Sequence, residues 1–162
     1  MTLKPNLVAV SAQRYQDELS PTAHRLVRRI LYHWTEMAAG RGFPSVADID
    51  PWMIGDDWKN CLLIELHTPL ARSRLLTVGS NLLSDPDRPT QPDTIAECPE
   101  DTLAGMLVAR VPDVLLARDY VLDEGGARLQ DRMILYRSIL LPLSVNSGDI
   151  DHVLAAANYR FA

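Results

Sequence analysis

The sequence predicts an α+β domain built on an antiparallel sheet, and three observations point there. The chain closes with two long apolar runs, residues 133–144 and 150–161, joined by Val145-Asn146-Ser147-Gly148-Asp149, the pattern of a β-hairpin. Both runs are apolar on successive as well as alternate positions, so the strand pair needs a covering layer on each side. The order of the predicted elements is helix, short helices, two strands, loop and helices, then strands. It lacks the strand–helix–strand alternation of a parallel sheet. With Leu143 set opposite Ile150, the hairpin register places Arg137 by Ala156 and Leu135 by Asn158.

Residues 1–19 carry no sustained period and are expected to form a weakly ordered arm, with residues 20–162 making a single domain. The first helix is predicted over 21–39. Ser20 suits the N-cap, Pro21 the first helical position, and Gly40 and Gly42 the stop. Val27, Ile30, Leu31, Trp34 and Ala38 recur at helical spacing. That stripe can cover the sheet or pair with a second copy of itself. Arg25, Arg28 and Arg29 lie off it and read as a solvated face.

Ser45 and Asp48 have capping spacing, and Asp50-Pro51 is a second start signal, so two short helical turns are expected with Ile49, Trp52 and Ile54 pointing inward. Residues 60–67 (NCLLIELH) read as a central strand and 72–79 as its hairpin partner. Residues 84–99 are rich in Pro and Asp and read as an irregular flap. Residues 99–110 read as a helix, and a second helical piece follows from Pro112. Residues 120–122 make a short strand candidate, with a turn at Gly125-Gly126 before the closing hairpin.

Composition limits the function classes. A net charge of −5 argues against a nucleic-acid surface as the main business. Cys61 and Cys98 lie far apart, with no CxxC partner to suggest a disulfide framework or a zinc site. No apolar run reaches the length of a membrane span and no secretory pattern opens the chain. The chain is therefore expected to be cytoplasmic, with reduced thiols and no nucleic-acid or membrane partner.

Several segments, taken in order, carry a resemblance. PSVADIDPWMI follows the first helix; then come NCLLIEL, RLLTVGSNL and the closing LYRSILLPLSVNSGDIDHVLAAANYR. This set, over about residues 23–161, resembles the bacterial PAS-domain family found chiefly in alphaproteobacteria. The resemblance implies a PAS-like five-stranded antiparallel sheet in the order 2-1-5-4-3, with the N-terminal amphipathic helix on one face and helices and a ligand pocket on the other. It implies a non-catalytic sensory or interaction module in signal transduction. Such a module would be a homodimer through the N-terminal helix (Val27, Ile30, Leu31, Trp34), with an unknown small molecule as ligand. The quoted sequence ends one residue after the last predicted strand, so a separate signalling protein is expected as the output partner.

The pocket residues expected on this basis are Arg137, Tyr136, Ile139, Leu154, Asn158 and Met106. Arg137 stands mid-strand among apolar neighbours, where a charge needs an acidic ligand, a carboxylate partner such as Glu65 or Asp50, or an opening to water. No catalytic motif is evident, nor any haem, flavin or metal motif, so the cofactor is unknown. His24, His33, His67 and His152 lack metal-ligand spacing. The alternatives are a ligand-free adaptor or a small cone-shaped α+β enzyme using an Asp/His pair. Asp151 and His152 alternate across a strand and are not expected to pair, which leaves His152 with Asp50 for that role.

Overall fold

The structure, a computed structural model, describes residues 25–83 and 91–162. The predicted arm, the Ser20 cap, the Pro21 start, His24 and residues 84–90 of the flap lie outside the described residues. Helix α1 is Arg25–Ala38, and the capped turn Val46–Asp48 and the one-turn helix α2, Pro51–Ile54, follow. The strands are β1 Cys61–Glu65, β2 Arg74–Val78, β3 Val121–Leu129, β4 Arg132–Leu143 and β5 His152–Phe161. Helices α3, Leu103–Val108, and α4, Val111–Ala117, stand between β2 and β3. The sheet has five strands in the order β2-β1-β5-β4-β3, and every neighbouring pair is antiparallel. The chain is thus α+β with the sheet order expected.

β4 and β5 are central and apolar on both faces, and two cores form around them. On one side, α1 seats Val27, Ile30, Leu31 and Trp34 on Ile139, Leu141, Leu143, Leu154 and Ala156. On the other, α3 and α4 cover Ile134, Leu140, Val153, Ala155 and Ala157 with Leu103, Leu107, Val111 and Val114. Trp34 adds a hydrogen bond from its indole Nε1 to the Pro142 carbonyl at 2.9 Å, which satisfies a buried polar atom while fixing α1 across β4.

The hairpin register differs from the expected one by two residues. Leu143 pairs with His152, Ile139 with Ala156 and Arg137 with Asn158. The connection takes up the extra residues by hydrogen bonding to itself. Asn146 Oδ1 accepts from the amides of Gly148 and Asp149, and Asp151 Oδ2 accepts from the Val145 amide at 2.8 Å. A shift of two leaves every side chain on its expected face, because the strand period is two.

The third strand is also corrected. Gly125-Gly126 does not turn the chain. β3 runs on to Leu129, and the turn is Gln130-Asp131, with φ of 49° and 65°. Both values are left-handed, as a two-residue hairpin of right-twisted strands requires. Ile49 and Ile54 pack inward as expected, but Trp52 is 92% exposed. Asp50 accepts from the Trp52 amide at the start of α2, and four residues make barely one turn, so Ile54 fills the single inward position.

Candidate functional site

The six expected pocket residues do not line one pocket. Ile139 and Leu154 are fully buried beneath α1, and Arg137 and Asn158 are cross-strand partners on that same face. Arg137 Nε lies 3.5 Å from Glu124 Oε2, its neighbour on β3, so its carboxylate comes from the adjacent strand rather than from Glu65 or Asp50. Tyr136 and Met106 lie on the opposite face, because Tyr136 and Arg137 are adjacent in a strand and must alternate. Val27, Ile30, Leu31 and Trp34 are likewise consumed within the chain. Each is buried against the sheet.

Tyr136 and Met106 open on a cleft of about 370 Å³ beneath α3. Its apolar wall is Leu103, Met106, Leu107 and Ala157, and its polar wall is Arg110, Asp123, Tyr136 and Ser138. The fold explains why these meet. Asp123 and Ser138 are directly opposed on β3 and β4, and Tyr136 stands two residues along β4 on the same face. Gly125 is the cross-strand partner of Tyr136, so no β3 side chain competes for the space beside the ring. Arg110 sits at the junction of α3 and α4, where the Leu107 carbonyl accepts its amide at 3.0 Å.

Asp123 ties the polar wall together. Its side chain is 3% exposed, a cost that only strong hydrogen bonds offset. Oδ2 accepts from Tyr136 Oη at 2.8 Å and from Arg110 Nε at 3.1 Å, and Arg110 Nη2 also lies 3.1 Å away. Ser138 Oγ donates to the Asp123 backbone carbonyl at 3.3 Å. Arg110 also reaches Asp113 on α4 at 3.3 Å. One guanidinium therefore joins α4 to β3. Burial alone would lower its pKa, but Asp123 and Asp113 outweigh burial and raise it. The Tyr136 phenol is pushed up to about 12, first by burial and then by the hydrogen bond to Asp123.

A second cleft of about 240 Å³ lies on the same face, beyond Leu103. Arg132, Tyr159, Phe161 and Ile134 help to line it, and the Arg132 guanidinium carbon stands 3.5 Å from the centre of the Phe161 ring. Arg25, Arg28, Arg29, Tyr32 and His33 form an open surface on α1, where Arg29 is held by Asp57 through contacts of 2.5 and 2.8 Å.

The histidines give one result that alternation along a strand did not anticipate. Asp151 lies just outside β5, so its side chain curls onto His152, with Nδ1–Oδ1 at 2.6 Å. Glu65 at the end of β1 lies 4.0 Å from His152 Nε2 and contacts His67 Nε2 at 2.6 Å. The His67 contact is the main reason the Glu65 carboxyl is held below its usual range. An imidazole oriented by a carboxylate is what acid–base chemistry uses, but neither Asp151 nor His152 lines either cleft described above. Asp50, the other expected partner, serves as the α2 cap. Among the described residues no group of three or more His, Cys, Asp or Glu is placed to hold a metal ion.

Cys61 is fully buried and its thiol is pushed up to about 12, mainly by burial, while Cys98 is pushed up to about 11 for the same reason. Both are poor nucleophiles. Among the described residues no helix is long and apolar enough to cross a membrane.

The arginine at the α3–α4 junction and the buried aspartate were missed by sequence reasoning. The available signal was a charged residue, Asp123, directly after the apolar Val121-Leu122. No family model, curated protein or solved structure matches this chain.

Proposed function

We propose that this chain is a non-catalytic PAS-like sensory or interaction module that holds a small molecule in the cleft beneath α3. The observation that carries the reading is the pairing of an apolar wall with a buried carboxylate knot in a space of about 370 Å³. Ligand sites are typically of this kind, mostly apolar with a few convergent polar groups, in clefts of about 300–1,000 Å³. The sheet order, with α1 on one face and shorter helices on the other, agrees with the arrangement that the PAS resemblance implies.

The signal would be a shift in population. Arg110 couples α4 to the edge strand β3, so a ligand that favours one setting of Arg110 also favours one arrangement of that edge. A separate protein would read the edge. The α1 stripe is not part of this proposal, because its residues pack on their own sheet.

Native mass spectrometry of protein purified from its own host tests the reading. The expected result is a bound small molecule whose occupancy falls when Met106→Trp narrows the cleft. A spectrum of bare protein, or an adduct indifferent to Met106→Trp, counts against it.

A further inference from the structure

The polar wall of the cleft has a defined hydrogen-bonding sense, and that sense selects a ligand. Asp123 takes the protons of both hydroxyls, Tyr136 Oη through its carboxylate and Ser138 Oγ through its backbone carbonyl. A hydroxyl has one proton and two acceptor lone pairs, so what Tyr136 and Ser138 retain is acceptor capacity. Arg110 supplies the opposite. Its contacts with Asp123 and Asp113 engage Nε, Nη1 and Nη2, and it also faces the Tyr136 hydroxyl, which keeps a second lone pair; a guanidinium carries five N–H donors and this side chain is 36% exposed. The cleft thus offers acceptors on one strand and donors on the helix junction.

Its charge points the same way. Among the described residues, one guanidinium meets two carboxylates here, a formal sum of −1. An anionic head group would meet that charge and would bring no proton for the hydroxyl oxygens. A cationic head group would compete with Arg110 for a carboxylate that already takes three donor contacts. An uncharged group that donates and accepts at once conflicts with neither.

We infer that the cleft takes an uncharged molecule with a compact apolar body and a carboxamide-like head. The head's N–H donates to Tyr136 Oη or Ser138 Oγ, and its carbonyl accepts from Arg110. The apolar body packs on Leu103, Met106 and Leu107. This inference rests on the cleft being the ligand site, as proposed above.

The test is an amide-resolved NMR titration of the full chain with four six-carbon probes: hexanamide, hexan-1-ol, hexanoate and hexylammonium. The expected result is saturable shifts around Tyr136, Ser138 and α3 with hexanamide. Hexan-1-ol should bind more weakly, and the two charged probes at least about tenfold more weakly than the amide. Tyr136→Phe with Ser138→Ala should erase the preference for the amide while the rest of the spectrum is kept. Hexanoate or hexylammonium binding as tightly as hexanamide would overturn the ligand class and leave the cleft as a site. No response there to any of the four probes would overturn both. The comparison among probes on the unmodified chain decides the class even where the double variant fails to fold.

Discussion

Tyr136 is the residue on which the site depends most visibly. Its hydroxyl is committed to a buried carboxylate, so ionising it would place two negative groups side by side away from water. A tyrosine ordinarily titrates near 10. With its folded value raised to about 12, Tyr136 contributes stability that is fully present below pH ~10 and lost as the pH climbs toward 12, because the unfolded chain gives up the proton first. Burial raises the Tyr120 phenol as well, so ultraviolet titration of phenolate should show more than one late-ionising tyrosine, and Tyr136→Phe should remove one of them. Ionisation of every tyrosine near pH 10 in the folded protein would contradict the hydrogen bond. Gly105 makes a different kind of demand. A Cβ there would stand 2.1 Å from the Pro99 carbonyl oxygen, which is backbone and cannot swing aside. At Gly126 the nearest atom would be 3.7 Å away. Gly105→Ala should destabilise by about 1–3 kcal/mol in urea denaturation, as other overpacked positions do. Gly126→Ala should change stability much less.

At the scale of elements, α1 owes its position to burial. Helix propensity contributes little to a stripe of Val, Ile and Trp, whereas the complete burial of Val27, Ile30 and Leu31 contributes a great deal. Leu31→Ala should cost about 2–5 kcal/mol, read as a lower urea midpoint at an unchanged slope. A variant of wild-type stability would mean that α1 is not seated on the sheet. This helix was legible in the sequence because a 3.6-residue period over four turns has few other readings. The β3–β4 connection was not legible. Gly125-Gly126 advertises a turn, yet the chain turns at Gln130-Asp131, a weak hairpin signal whose two left-handed residues are fixed by the ladder on either side. Tertiary pairing overrode local preference there. The hairpin between β4 and β5 was legible in its faces and misjudged in its register. Apolar alternation fixes the first, whereas loop hydrogen bonds from Asn146 and Asp151 fix the second.

At the scale of the molecule, the two-sided apolar hairpin dictates the layers. Both faces must be covered, and what covers them differs. One long helix seals one face, while α3 and α4 cover the other in short pieces, with two clefts at their edges. That asymmetry places the candidate site on the α3 face, and the sequence showed the two coverings without showing which one leaves space. The site itself was half legible. Tyr136 and Met106 were within reach, because an apolar strand and a helix above it are both visible in the pattern. Arg110 and Asp123 were not, because a salt link between a helix junction and a strand 13 residues away leaves no periodic trace.

A crystal structure of protein purified from its own host tests most directly whether the cleft beneath α3 is a ligand site. The predicted result is compact density between α3 and β4, within hydrogen-bonding distance of Tyr136 Oη, with Arg110 still spanning Asp123 and Asp113. A cleft filled by the side chains of Leu103 and Met106, or density confined to the second cleft beside Arg132 and Phe161, would contradict it.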